Sequence, residues 1–415
     1  MMPDAVKRWV IFLMATLLFV LSQFYRSSIA VITPDLMRDL AVTPRGLSLI
    51  SAAFFYAFAL TQIPITIYLD KIGPRIAMTA LSLVAAGGAL VFAAGHTVNV
   101  LTAGRILMGI GMACNLMGTL KLITLWFTPL RFATLSAIVF SLGTLGNLVA
   151  ATPLVLLTQA LGWRRAFLVI AGFNLLLTLL FYLIARDGPA TSPTTARTKA
   201  AAGPSRAIFH DMGRLFGRKD YWIISLGTFC RYGIFAAVQA LWAGPFLIQA
   251  MGIAPVQAGN LLVLLSIGLL AGSPLWGWLS DAVLKKRKAI VIAGLFSMGL
   301  LLLLLTRLTP ETALPVFGVL FFAFGFCSSA GNIMYAHIKE RMPPENAGAA
   351  MTGINFFTMT GVAFFMQGLG YLLALRHPQT ALSATAFNEM FLLCAVCLWV
   401  TASVYLATRE TSPGR

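Results

Sequence analysis

Carboxylates are scarce in this 415-residue sequence, which holds 13 Asp and Glu residues against 30 Lys and Arg residues. None of the acids lies in the middle of a long apolar run, so the sequence offers no buried carboxylate as a dedicated proton carrier. Histidines are few, and none stands beside Cys394 and Cys397 to complete a zinc site, so these thiols are interpreted as apolar filler. No Gly-rich phosphate loop and no soluble Ser, His and Asp arrangement occurs. The sequence therefore predicts no enzyme, no cofactor and no metal.

Long apolar runs dominate what is present. Hydrophobic residues make up 59% of the chain and charged residues 10%. A helix needs about 20 apolar residues to cross a bilayer, and windows of that length predict twelve spans. The sequence therefore predicts an all-α membrane protein. The expected spans lie near 9–33, 46–68, 76–95, 101–125, 132–158, 165–185, 221–247, 257–279, 289–308, 313–338, 347–372 and 387–407.

The basic residues between the spans predict the orientation. Many more Lys and Arg residues fall on the side of the two termini than on the opposite side, and Lys285, Lys286, Arg287 and Lys288 form the densest cluster. Positive loops remain in the cytoplasm, so both termini are expected there, with the chain in the cytoplasmic (inner) membrane. The net charge of +17 is then explained by topology and anionic headgroups, without nucleic acid.

The chain divides into two halves at a polar segment. Residues 186–206 are rich in Pro, Thr, Ala and Gly, which is typical of a solvated linker, and apolar residues at helical spacing near 208–218 predict a short interfacial helix. The predicted domains are an N-terminal six-helix bundle (1–185), a cytoplasmic linker (186–220) and a C-terminal six-helix bundle (221–415).

The two halves repeat one another. The offset that places Pro34 on Pro245 also places Pro44 on Pro255 and Asp70 on Asp281. Repeats of this kind place a substrate site near the middle of the membrane and move around it. We therefore expect two bundles related by a pseudo-two-fold axis and transport by alternating access.

Two arginines are the principal candidates for substrate binding. Arg26 and Arg231 each lie inside a predicted span with no carboxylate nearby. A guanidinium at membrane depth costs at least about 2.5 kcal/mol unless a partner or a wet cavity receives it, and a bound anion would supply that partner. Two structural alternatives remain: Arg26 could cap carbonyls at a broken helix, and Arg231 could reach the interface along its own stem.

Polar and aromatic neighbours extend this candidate site. Some share a helical face with one arginine or stand next to it, while others are polar groups elsewhere in spans, where an interfacial lysine or interhelical hydrogen bonding is the alternative. The further candidates are Tyr25, Tyr232, Gln23, Gln239, Lys121, Asn332 and Tyr335.

Three motifs resemble those of the major facilitator superfamily. They are YLDKIGPR with Asp70 and Arg75, its second copy GWLSDAVLKKRK with Asp281, and LTAGRILMGIGMA with Arg105. The resemblance implies a twelve-helix transporter. Asp70 and Asp281 lie just past helix ends, where pairing with bases such as Arg75 or Arg131 would hold the cytoplasmic side shut; ordinary turn residues are the alternative.

A narrower resemblance is to the organophosphate transporters. SQFYRSSIAVITPDL is similar to their first helix and FCRYGI to their seventh, which implies that Arg26 and Arg231 bind the substrate's anionic group from the two bundles. Gln62 and Leu142 stand where that family has a lysine and a histidine. A carboxylate, a sulfonate or an amino-acid-like anion is therefore as open as a phosphate ester.

The function predicted from the sequence is secondary active transport of a small organic anion held between Arg26 and Arg231. The partners are this anion and the lipid bilayer, and a monomer is expected. Anion exchange, proton symport through Asp35 or Glu389, and uniport remain open as coupling modes. The alternative functions are a membrane sensor for such an anion and efflux of amphipathic compounds.

Overall fold

The computed structural model describes residues 4–188, 216–342, 347–378 and 382–411. The predicted linker and most of the predicted interfacial helix fall outside these ranges. Within them, twelve helical segments are long and apolar enough to cross a membrane, which confirms the predicted all-α fold and the number of spans.

Nine helices form the first six spans of the described chain, because the first, fourth and fifth spans are interrupted. They are α1 (Asp4–Ser27), α2 (Ile29–Leu40), α3 (Pro44–Ile72), α4 (Pro74–Ala94), α5 (Val98–Met112), α6 (Asn115–Trp126), α7 (Pro129–Val149), α8 (Thr152–Leu161) and α9 (Trp163–Ile184).

Seven further helices form the last six spans of the described chain. They are α10 (Lys219–Ala237), α11 (Pro255–Trp278), α12 (Arg287–Leu305), α13 (Leu314–Ser329), α14 (Ile333–Arg341), α15 (Ala347–Arg376) and α16 (Ala384–Tyr405). Helix α10 continues to Ala250 with wide turns at Val238–Trp242 and Phe246–Ala250, and α11 ends in another wide turn, Leu279–Val283.

Two helix starts follow directly from the repeated sequence. Helix α3 begins at Pro44 and α11 at Pro255, the two prolines that the repeat superposes. Proline suits the first turn of a helix because its missing N–H would have no partner there. Equivalent prolines of the sequence repeat therefore start equivalent helices in the two halves.

The described helices group into two compact units. Residues up to Ser28 and from Ala53 to the linker form the first unit, whereas Ile29–Ala52 clusters with the helices after the linker in the second unit. The grouping thus differs from the predicted division at residue 185 in where it places the segment Ile29–Ala52. This segment packs against the extension of α10, where the backbone of Gly244 lies against Ala30 too closely to admit a Cβ.

Small residues set the spacing inside each unit. In the first unit, a Cβ on Gly88 of α4 would lie 2.7 Å from the backbone nitrogen of Met108 on α5. In the second, a Cβ on Gly233 of α10 would lie 2.7 Å from the carbonyl of Gly361 on α15. Such close backbone approach is typical of helices packed within a membrane. Because Gly233 is two residues after Arg231, this contact holds the part of α10 that carries Arg231 against α15.

Candidate substrate-binding residues and gates

Arg26 lies in the last turn of α1 and is half-buried in the first unit. Its guanidinium carbon is 4.2 Å from the centroid of the Phe58 ring on α3, and that ring is buried. An aromatic face offsets part of the cost of a desolvated cation. Arg26 is therefore held within the helices of its unit at a place where a ligand can reach part of it.

A different arginine bonds to the break in the first span. Helix α1 ends at Ser27, and the Tyr25 carbonyl accepts hydrogen bonds from Arg105 Nη1 (2.6 Å) and Ser28 Oγ (3.2 Å). Arg105 is completely buried on α5, 4.6 Å over the Phe54 ring. The sequence suggested capping of a broken helix for Arg26, and the structure shows Arg105 in that role.

The other candidates of the first unit differ in accessibility. The Tyr25 side chain is completely buried, edge-to-face against Phe24 at 5.8 Å. Gln23 lies on the same helix as Arg26 and is half-buried, and Lys121 on α6 is also half-buried. Gln23 and Lys121 therefore remain accessible to a ligand, whereas Tyr25 contributes to packing around the helix break.

Arg231 is 2% exposed on α10 of the second unit. Its Nη1 donates to the Ser328 carbonyl on α13 (3.2 Å), and its guanidinium carbon is 5.4 Å from the Tyr232 ring centroid. Its Nε has no hydrogen-bond partner, and no ion pair with a carboxylate engages it among the described residues. A buried cation satisfied only by a carbonyl and a ring is incompletely compensated.

The carbonyl that Arg231 reaches belongs to another interrupted span. Helix α13 ends at Ser329, a tight turn occupies Ala330–Asn332, and α14 begins at Ile333. Gly331 lies so close to Arg231 that a Cβ there would be 2.6 Å from the guanidinium carbon. A side chain at position 331 would therefore displace the Arg231 guanidinium, which is buried against this break and does not extend to an exposed surface.

Hydroxyl and amide groups occur on the helices near Arg231. The Tyr335 hydroxyl on α14 lies 3.2 Å from Asn355 Oδ1 and 3.4 Å from Thr358 Oγ1 on α15. The hydroxyl of Ser328, whose carbonyl Arg231 reaches, is buried and has no hydrogen-bond partner among the described residues. We call Ser328, Tyr335, Asn355 and Thr358 the polar cluster.

Two further candidates of the second unit make interhelical hydrogen bonds. Gln239 Nε2 donates to Ser266 Oγ on α11 at 3.0 Å, and Asn332 Nδ2 donates to Ser273 Oγ at 3.1 Å. Gln239 is buried and Asn332 is exposed. Both bonds connect spans, which is the alternative interpretation considered for Asn332 and a contact not considered for Gln239.

The gate residue Arg75 has clear contacts in the first unit. Its Nη2 donates to the Tyr182 carbonyl (2.9 Å), its guanidinium lies 4.5 Å over the Tyr182 ring, and its backbone N–H donates to Asp187 Oδ1 (2.8 Å). Asp187 thus satisfies the start of α4 from the end of α9. The side chain of Asp70 lies outside the described residues, and Arg131 is exposed at the start of α7.

The corresponding candidate gate of the second unit contains more side-chain hydrogen bonds and ion pairs. Asp281 pairs with Arg287, whose Nη1 also donates to Ser280 Oγ (2.8 Å) and whose Nη2 donates to Glu340 Oε1 (2.9 Å). Thr411 Oγ1 donates to Glu340 Oε2 (2.7 Å). Glu340 and Arg287 were not identified from the sequence; the signal available was Arg287 within the basic cluster, six residues after Asp281.

Asp35, near the middle of α2 and outside the apolar segment Val6–Ser27, is one of the two acids considered for proton coupling. Partial burial raises the pKa of its carboxyl, and the neighbouring Arg38, 2.9 Å away, opposes the shift. Glu389 on α16 pairs with Arg376 at 3.3 Å. Among the described residues, no group of three or more His, Cys, Asp and Glu is arranged to hold a metal.

Comparison with known proteins gives a family match over most of the chain. The model for the Major Facilitator Superfamily matches residues 15–374 and 224–414. The chain is 26% identical to the probable sulfoacetate transporter of Cupriavidus necator, over 67% of this chain and 68% of that protein.

Two more comparisons agree with that match. The chain is 24% identical to the probable galactarate/D-glucarate transporter of Bacillus subtilis, over 86% of this chain and 83% of that protein. It also matches the crystal structure of a bacterial homologue of the human lysosomal transporter Spinster, with a TM-score of 0.75, 16% identity and 96% coverage of both chains.

Proposed function

Since this chain belongs to the major facilitator superfamily of membrane transporters, we propose that it carries a small organic acid anion across the cytoplasmic membrane, with both termini in the cytoplasm. Arg26 and Arg231 are the residues that contact the substrate's anionic group. The observation that carries this proposal is Arg231: among the described residues its buried guanidinium has an unpartnered Nε and no paired carboxylate, and the hydroxyl of Ser328, whose carbonyl it reaches, is unpartnered as well.

The substrate class follows from the relatives and from the groups around Arg231. The two compared relatives are named for sulfoacetate and for galactarate and D-glucarate, which are sulfonic and carboxylic acids. The Ser328 hydroxyl, on the residue whose carbonyl Arg231 reaches, is unpartnered among the described residues, and Tyr335 joins the same cluster to Asn355 and Thr358; such hydroxyl and amide groups suit a hydroxylated carboxylate. We therefore rank carboxylates and sulfonates above phosphate esters as substrates, although the first-helix and seventh-helix motifs resemble those of the organophosphate transporters.

Anion exchange is the coupling mode that needs no proton-carrying side chain. The acids of the described spans lie near span ends, as Glu389 and Glu340 do, and Asp35 lies in α2, past the apolar segment Val6–Ser27. Exchange leaves the charge on the arginines compensated throughout the cycle, because one anion replaces another. A proton carried through Asp35 is the competing mode.

The experiment combines binding and flux in the purified protein. Thermal-shift measurements with sulfoacetate, D-glucarate and glycerol phosphate identify the ligand, and liposomes preloaded with it or given a pH gradient report exchange or proton coupling. We expect Arg26→Ala and Arg231→Ala each to weaken binding by at least about 30-fold, because truncating one partner of a buried charge interaction costs about 2–5 kcal/mol.

A matched control is Arg165→Ala, which removes an exposed arginine of the first unit that belongs to neither the candidate site nor the candidate gates, and should leave ligand affinity unchanged. Normal binding and flux in both arginine variants would refute the proposal. Binding without flux in the wild-type protein would instead indicate a sensor.

A further inference from the structure

Basic side chains surround a cavity of about 330 Å³ at one end of the second unit, where α10 begins and α14 ends. Four of the lining residues are cations and one is an acid. The charged residues of the lining are Arg218, Lys219, Arg341, Arg409 and Asp220. This set is separate from Arg231, which lies twelve residues further along α10.

The cavity retains an excess of positive charge after its internal pairing is counted. Asp220 Oδ2 accepts a hydrogen bond from Arg341 Nε at 2.8 Å, so the acid compensates one base. No ion pair engages Arg218, Lys219 or Arg409 within the described ranges. Helix α10 starts here without a side-chain cap, and its first amide groups add to the positive potential.

Exposed aromatic side chains place this cavity at the edge of the apolar layer. Trp222 is 46% exposed and Phe216 43% exposed; their rings stack at 5.4 Å, and Trp222 Nε1 donates to the Phe216 carbonyl at 2.8 Å. Leu406, next to the lining residue Ala407, is 59% exposed. Tryptophan is enriched at headgroup depth, so the cavity lies where lipid phosphates are found.

We propose that this cavity binds a phosphate group at the membrane surface. Three bases without ion-pair partners, an uncapped helix start and a volume sufficient for a phosphodiester headgroup fit that chemistry. The phosphate can come from an anionic phospholipid or from soluble phosphate. Its binding would hold the start of α10 to the end of α14, where Asp220 and Arg341 already join them.

The test uses the full chain in a neutral detergent at low salt. Thermal stability is titrated with phosphatidylglycerol, phosphatidylcholine and inorganic phosphate. The cavity variant is Arg218→Gln, Lys219→Gln and Arg409→Gln, which preserves the pair of Asp220 and Arg341. The matched control, Arg45→Gln, Arg165→Gln and Arg307→Gln, removes the same charge from exposed positions outside the cavity, which the predicted topology places on the opposite side of the membrane.

Each base near an anionic surface contributes about fivefold in binding constant, so the cavity variant should bind phosphatidylglycerol about 100-fold more weakly while the control stays within a few-fold of wild type. Loss of phosphatidylglycerol protection alone identifies a lipid headgroup, whereas equal protection by inorganic phosphate identifies a soluble source. Equal weakening of both variants, or of neither, overturns the site. If the cavity variant does not fold, Arg409→Gln alone should still show about fivefold weakening.

Discussion

Each unit contains a buried arginine that donates to a carbonyl of an interrupted span, but the surroundings of the two arginines differ. In the first unit, Arg105 reaches Tyr25 beside the ring of Phe54. In the second, Arg231 reaches Ser328 beside the polar cluster. The same kind of hydrogen bond therefore occurs once beside an aromatic ring and once beside hydroxyl and amide groups.

Under the proposed function, the difference separates a structural arginine from a binding one. A carbonyl cap and unpartnered nitrogens do not by themselves reveal function, because within the described residues Arg105 leaves Nε and Nη2 unpartnered and Arg231 leaves Nε unpartnered. The described contacts of Arg105 are aromatic and backbone groups, whereas the unpartnered Ser328 hydroxyl belongs to the residue whose carbonyl Arg231 reaches. Arg26 is partly exposed over Phe58. The proposal therefore assigns the two roles to Arg105 and Arg26 in the first unit and both roles to Arg231 in the second.

The largest expected effect comes from replacing each buried arginine by lysine. Arg231→Lys should weaken ligand binding by about 100-fold, since an ammonium cannot reproduce the planar array of guanidinium donors. Arg105→Lys should instead lower the free energy of unfolding by about 1–3 kcal/mol while the folded protein keeps its affinity. Isothermal titration and thermal unfolding of the same preparations separate the two outcomes, and the reverse pattern would contradict the assignment.

A smaller effect is expected from a methyl group beside Arg231. In Gly331→Ala the added Cβ would displace the guanidinium, and overpacking of this kind costs about 1–3 kcal/mol, so ligand affinity should fall by about 10-fold. Gly172→Ala on α9 is the matched control, because no atom lies within 4 Å of its added Cβ. Equal affinity of the two variants in isothermal titration would show that the position of Arg231 does not matter for binding.

The smallest effect is expected at the gates, where the second unit is more densely connected. Glu340→Gln should lower the free energy of unfolding by about 1 kcal/mol, because Arg287 loses a charged partner within a partly exposed set of hydrogen bonds. Asp187→Asn, which affects one exposed backbone bond, should change the thermal midpoint less. A larger loss of thermal stability in Asp187→Asn would reverse the ranking of the two gates.

The span positions were predictable because a bilayer imposes a length on every apolar run, and the prolines at 44 and 255 start their helices in both halves. The break after Ser27 was considered only as an alternative role for Arg26, because no proline or glycine marks it and its partner Arg105 lies eighty residues away from Tyr25 in the sequence. Local pattern reports helix formation well, but it does not reveal which distant side chain satisfies an interrupted backbone.

The candidate site was partly predictable for the same reason. Arg26 and Arg231 were evident because an isolated cation in an apolar run is costly. Asn355 and Thr358, which complete the polar cluster with Tyr335, depend on how α14 and α15 pack. The roles of Asp187 and Glu340 likewise arise from contacts between distant segments. The sequence around an acid at a helix end does not show which base or backbone group it will contact.

The contact of Thr411 with Glu340 has a practical consequence for handling the protein. The Thr411 carbonyl also accepts a bond from the Arg287 backbone (3.3 Å), and Glu410 accepts one from Lys288 (2.7 Å). A purification tag or fluorescent fusion joined directly after these residues would compete with their hydrogen bonds to Arg287, Lys288 and Glu340. A spacer of several flexible residues, or a label on the opposite terminus, would leave these bonds intact during purification.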